Sequence, residues 1–324
     1  MKLMKILATS VAFVLASPCA LADDRSDWPS SLTLGTASQG GTYYVYGSSW
    51  ANLVNQKMGI RIGAEISGGP IQNIAMVESG AYHFGQVTTG PARQALNGEN
   101  PLMPGVKHEN IRALFPMYQT ALNVIAEKKS GIDSVAKLNG RSVGVGPAGG
   151  TNQQYFPVLF KHLGLKVNIR EGGAGDQAGQ VQDGLLDALA FGAGIPVAAF
   201  SQLEAQTDVN IFAFTSEQIE TILADFPEFS PSEIPAGVYK SQPEGFPTVA
   251  MWNFTVAHKD LPESLVYEIV KTVMENNDEL RQSHGSAAES LPENIKHNRF
   301  IPFHPGAVRW YEENGYEIPD HLKG

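Results

Sequence analysis

The chain has 324 residues, of which 33 are acidic and 23 basic, for a formal net charge of −10. No run of Lys and Arg interrupts that acidity, which excludes a nucleic-acid footprint and adhesion to an anionic membrane surface. The single cysteine, Cys19, sits in the N-terminal segment, so the rest of the chain has no thiolate to serve as nucleophile, metal ligand or half of a disulfide.

At the N-terminus, Lys2 and Lys5 precede an apolar stretch over 6–15, and Ala20-Leu21-Ala22 supplies small residues for cleavage. This pattern predicts an export signal over 1–22, cut after Ala22, and a mature chain in the periplasm. Pro18 beside Cys19 argues against lipid attachment, and the apolar stretch is too short to span a bilayer. Roughly 300 residues in two domains can be held by their cores alone.

Leu32 and Leu34 alternate with Thr33 and Gly35 as in a buried strand. After the turn at Gly40-Gly41, Tyr46, Trp50, Leu53 and Val54 recur at helical spacing, with Thr42 placed to cap the helix. A Gly-rich turn opening a helix leaves backbone N–H groups unpaired and turns the positive end of the helix dipole outward, which makes an anion cradle. Ser38, Thr42 and Tyr43 can add hydroxyls to it; a plain helix entrance accounts for the same residues equally well. Next come a strand carrying Ile60, Ile62, Ala64 and Ile66, and a helix opened by Gly68-Gly69-Pro70 and closed at Gly80. A strand over 82–87 and a helix opened by Thr88-Thr89-Gly90-Pro91 complete a β-α-β-α-β-α unit. Such alternation predicts a mainly parallel sheet with ligands at the carboxyl ends of its strands.

The same plan returns over 143–203, where Gly149-Gly150-Thr151 answers Gly40-Gly41-Thr42. The stretch from Gln182 matches the one from Glu78, each a helix ending in Gly, a strand and a Gly/Pro-marked helix start. Two copies of one half-domain plan predict two lobes. Extended runs over 115–126 and 248–257 would carry the chain out and back, forming a hinge. Lobe one is therefore expected over 30–119 and 252–324, and lobe two over 120–251. An amphipathic helix over 261–276 and a final helix over 304–315 belong to lobe one, and the Pro- and Gly-marked 227–247 reads as a surface excursion.

Motifs for chemistry are weak. Gly144-x-Gly146-x-x-Gly149 fits a dinucleotide turn, but Pro147 interrupts it and Glu171 is loosely placed for a ribose; the first turn resembles a phosphate loop with Gly41 at the lysine position. The eight histidines form no zinc spacing. His304, before Pro305, is expected to anchor the last helix, Asp187 to act as a cap, and Trp252 to be either core or cleft lining. No catalytic residue, metal or cofactor is expected.

GTASQGGTYYVYG, SGGPIQNIAMVESG, GVGPAGGTNQQ, DALAFGAGIP and HPGAVRWYEENG, in this order, resemble the TAXI solute receptors, the extracytoplasmic subunits of one branch of TRAP transporters. The resemblance covers nearly the whole mature chain. It implies an α/β, two-lobed periplasmic-binding-protein fold of type II that closes about its two-crossing hinge. The ligand would be a small organic acid or amino acid, of the dicarboxylate, glutamate or 2-oxoglutarate class. A monomeric receptor would deliver it to a TRAP membrane permease driven by sodium. Carried over by position, the ligand shell is Ser38, Gly41, Thr42, Tyr43, Thr88, Thr89, Gly150, Thr151 and Asn152, with Trp252 as a cleft-lining candidate. The chain departs from the family at Pro70 (Ser), His83 and Gly90 (Asp), Gly149 (Ser) and Asn152 (Glu). A receptor for another transport or sensor system, or an exported enzyme, are the competing readings.

Overall fold

The structure is a computed structural model in which residues 25–324 are described; the export signal expected over 1–22 lies outside them. The chain begins with β1 (Leu32–Gly35), α1 (Thr42–Met58), β2 (Ile62–Glu65), α2 (Pro70–Glu78), β3 (Phe84–Thr88) and α3 (Thr89–Leu96). A long strand, β4 (Ile111–Ala121), leads to β5 (Val124–Glu127), β6 (Ser142–Gly144), α4 (Thr151–His162), β7 (Asn168–Arg170) and α5 (Ala174–Gln182). Then follow β8 (Ala188–Ala190), α6 (Ala198–Glu204), β9 (Val209–Phe212), α7 (Ser216–Asp225) and β10 (Ser230–Ile234). A second long strand, β11 (Phe246–His258), returns to α8 (Glu263–Glu275), α9 (Asn277–Ser283) and α10 (Pro305–Glu313).

Two sheets result, ordered β2-β1-β3-β11-β10, with β4 also on β11, and β7-β6-β8-β5-β9. In each, the three strands of the repeated unit are parallel and a strand from outside the unit pairs antiparallel to the third: β11, later in the chain, on β3, and β5, earlier in the chain, on β8. The repeat persists down to dihedral angles. Gly40 and Gly149 both have φ of 85°, and the residues after them, Gly41 (−99°, 158°) and Gly150 (−91°, 155°), share one extended conformation. Only glycine takes the first of these positions without strain.

β4 and β11 run antiparallel from Ile111 opposite His258 to Ala121 opposite Ala250. Val249 and Met251 of β11 pack into the apolar cluster of the second lobe, whereas Phe254, Val256 and Ala257 pack into that of the first. One strand pair thus belongs to both cores, and a lobe rotation bends it. The run expected over 115–126 breaks after Ala121, where the chain leaves β11 and joins the second sheet as β5. Within 227–247 the structure adds β10, which tolerates Pro231 because it lies at the sheet edge.

Trp50 anchors the first core, fully buried and edge-on to Phe84 and Phe115 at 5.7 and 5.6 Å between ring centroids. Ile66 is 55 % exposed, because β2 stops at Glu65 and the chain turns towards the cleft. Asp187 has a structural part: its carboxylate accepts from Ser142 N at 2.8 Å and faces Arg141, fastening the start of β8 to that of β6.

His304 caps α10, its Nδ1 accepting from Gly306 N at 3.2 Å. Burial lowers its pKa from 6.5 to about 4. The unfolded chain therefore binds the proton more readily between those values, so this contribution is complete above about pH 6.5 and is lost as pH falls towards 4. The melting temperature should drop over that window, and His304→Asn, which still caps but does not titrate, should flatten the drop. An unchanged slope in the variant would contradict this.

Candidate functional site

Four helix entrances and the ends of two strands meet between the lobes. Gly41 and Gly150 are the N-cap residues of α1 and α4, and neither carries a side chain that can satisfy the first-turn N–H groups. Thr42 is the first residue inside α1, not its cap. Its hydroxyl donates instead to the Gly194 carbonyl of the opposite lobe at 2.6 Å. Gly69 and Pro70 open α2, and Ile71 N donates to Gly149 O across the cleft at 3.0 Å. A further crossing bond joins Ala199 N to Gly40 O at 3.2 Å.

These elements line one small cavity between the lobes, about 40 Å³ in volume. From the first lobe it is lined by Ala37, Ser38, Gly41, Thr42 and Tyr43, by Gly68 to Pro70 and by Thr88, and from the crossing strand β4 by Thr120. From the second come Pro147, Gly150, Thr151 and Asn152, with Phe191, Gly192 and Ala193 after β8. Among the described residues, none that lines it carries a formal charge. The electrostatics are those of backbone dipoles: the helix entrances direct N–H groups and positive dipole ends into the space.

Under the cavity lies a buried hydroxyl network. Tyr43 OH donates to Asn253 Oδ1 at 2.6 Å and contacts Thr88 Oγ1 at 3.0 Å, and Thr88 Oγ1 contacts Thr151 Oγ1 of the other lobe at 2.6 Å. Asn253 is held from behind, its Nδ2 donating to the Tyr118 carbonyl at 2.6 Å. Burial pushes the Tyr43 phenol far above its ordinary range, so it keeps its proton. Asn152 plays a structural part: its Nδ2 donates to Gly192 O at 2.9 Å and its Oδ1 accepts from Gly192 N at 2.7 Å. The pair ties the start of α4 to the loop after β8, just as Tyr43 and Thr88 tie α1 to the end of β3.

Of the residues picked from sequence, Ser38, Gly41, Thr42, Tyr43, Thr88, Gly150, Thr151 and Asn152 line this one cavity. Thr89 and Trp252 do not. They line a neighbouring cavity with Glu228, His297 and Arg299, and Trp252 lies flat on His297 at 4.2 Å. Each is one residue from a side chain of the hydroxyl network, Thr88 or Asn253, and successive side chains at a strand point to opposite faces. Sequence reasoning missed Phe191, Gly192 and Thr120. Projecting Thr88 onto the second copy of the repeat would have indicated the loop after β8; nothing marked Thr120.

Sequence comparison adds that the profile of the NMT1-like family matches residues 34–315. The chain belongs to the NMT1-like family. Among solved structures, the periplasmic binding protein BugD superposes on this NMT1-like protein with a TM-score of 0.57, at 13% identity over 89% of this chain and 98% of its own. MatC from Rhodopseudomonas palustris, with bound malate, also gives 0.57, at 12% identity over 87% and 98%. The substrate-binding protein of an ABC uptake transporter from Streptococcus pneumoniae, with bound histidine, gives 0.53, at 15% identity over 83% and 98%. Identities this low establish the fold: the NMT1-like chain has the two-lobed periplasmic-binding-protein architecture.

Proposed function

We propose that this NMT1-like protein is an extracytoplasmic solute receptor that closes on a small organic anion or amino acid and surrenders it to a membrane permease. One observation carries the reading. Helix entrances from both lobes converge on a single cavity with no charged lining side chain, and hydrogen bonds between the lobes form around it. Ligand contacts to both lobes favour the closed state, so binding and closure are one equilibrium. The malate and histidine held by the two structural neighbours support the ligand class.

The finer reading rests on the sequence resemblance: a TAXI receptor, exported after Ala22, acting as a monomer with a sodium-coupled TRAP permease. Its lobes divide at 119/120 and 251/252, and it performs no catalysis. Thermal unfolding of the mature protein, refolded from denaturant to strip carried-over ligand, tests the receptor reading. A ligand held by the native state alone at about 100 times its Kd adds about 2.7 kcal/mol of stability, so one organic acid or amino acid in a panel should raise the melting temperature by several degrees. A flat response across the panel would refute it.

A further inference from the structure

Away from the cavity, a second set of contacts joins the lobes around Glu228, which precedes β10. Glu228 moves with the second lobe. The next residue, Phe229, is buried in that lobe's apolar cluster and packs edge-on to Tyr155 of α4 at 5.3 Å, and the Tyr155 hydroxyl donates to Glu228 Oε1 at 2.8 Å. Burial above all, and then the carboxylate beside it, hold the Tyr155 phenol far above its ordinary range, so it stays a donor. The other oxygen, Oε2, accepts from Arg93 Nη2 at 3.3 Å. Arg93 belongs to the first lobe: it sits on α3, whose Ala92 and Ala95 pack into that lobe's core, and its guanidinium lies over the Phe300 ring, 5.9 Å from the centroid. Each partner is thus held by its own lobe, and the two meet only when the lobes are shut. Beside them Gln154 Nε2 donates to Gln94 Oε1 across the same gap. Gly90 makes room for this approach, since a Cβ there would run into the Tyr155 hydroxyl.

We infer that Arg93 licenses closure of the lobes: it supplies the countercharge without which the Glu228 carboxylate would be sealed from water when the cleft shuts. This rests on the reading of the cleft as one that opens and shuts. In the shut form the Glu228 side chain is 4% exposed and that of Arg93 34%. The carboxylate therefore depends on the protein for its solvation, whereas the guanidinium keeps part of its water. Among the described residues Glu228 has no other ion-pair partner; Arg299 lines the same cavity but is exposed and outside ion-pair distance. A buried pair need not stabilise the shut form more than two uncharged side chains would, but losing one partner leaves the other charge uncompensated. The pair thus penalises any closure that leaves Arg93 out of place, and so selects one register of the lobes. The uncharged Gln94–Gln154 contact carries no such penalty.

Beyond residue 22 the chain contains no cysteine, so an introduced pair can count closures without any ligand. A Cβ at Gly173 of the second lobe would stand 3.8 Å from the Ser38 Cβ of the first, the usual separation in a disulfide. Asp176 Oδ2, 3.0 Å from that Cβ, ends a side chain that can turn aside. Ser38→Cys with Gly173→Cys therefore joins the lobes only when they shut. In the refolded, ligand-stripped mature protein under excess oxidant, Arg93→Met should slow this cross-link about tenfold or more. Glu228→Gln still accepts from Tyr155 and should stay within about threefold of the parent pair. Adding Glu228→Gln to Arg93→Met should bring the rate back to within about threefold, a rescue that lost packing at Arg93 would not show. Arg93→Gln repeats the test should the methionine variant not fold. A rate within threefold of the parent in the Arg93 variant, or a double variant as slow as the Arg93 variant alone, overturns the inference and leaves the receptor reading standing. A parent pair that does not join, with or without the acids of the panel, overturns both.

Discussion

Replacing Gly68 by alanine should leave the ligand-free protein as stable as the parent and weaken ligand binding by about tenfold or more. A Cβ at Gly68 would stand 2.4 Å from the Ala148 carbonyl oxygen, a backbone atom of the opposite lobe, and 3.0 Å from the Gln72 side chain, which can move aside. The clash exists only when the lobes are shut. Overpacking of this kind costs about 1–3 kcal/mol, and each 1.4 kcal/mol is about tenfold in affinity. Gly40 approaches Gly175 almost as closely, at 2.6 Å, but its φ of +85° adds strain to the open state too, so Gly68 is the clean test. Calorimetry and thermal unfolding of the same preparation separate the two effects. Full affinity in Gly68→Ala would mean that the ligand is held without this approach of the lobes.

Asn152→Leu should destabilise the ligand-free protein by about 2–6 kcal/mol, since two buried groups, Gly192 N–H and C=O, lose their partner together and each costs about 1–3 kcal/mol. Leucine keeps approximately the volume, so the loss reports the hydrogen bonds. Denaturant unfolding reads it directly. The loop carrying Phe191 to Ala193 lines the cavity, so ligand affinity should fall as well. A variant with unaltered stability and reduced affinity would reassign Asn152 from clamp to ligand contact.

Much of this arrangement was legible in the residues. Both Gly-Gly-Thr turns, the helix-Gly-strand units and the two long crossings are local signals, and the matching dihedral angles of Gly40 and Gly149 show why the repeat is visible: the turn has one workable backbone path and glycine must occupy it. The site was legible where it is built from those turns. It was not where contacts come from afar: Tyr43 and Asn253 are 210 positions apart, and no local pattern announces that they meet. Thr89 and Trp252 illustrate a finer limit, because a single step along the chain decides which of two adjoining cavities a side chain faces. The closing role of Thr42 was hidden for another reason. Its hydroxyl fits an N-cap in sequence, and only the fold shows Gly194 within its reach.

The central claim is that the lobes shut on a small organic anion. X-ray scattering of the stripped mature protein, before and after saturation with the acid that most raises its melting temperature, tests it most directly. The radius of gyration should fall on saturation in the parent and fall less in Gly68→Ala. A parent whose scattering is unchanged with the acid bound would contradict the account.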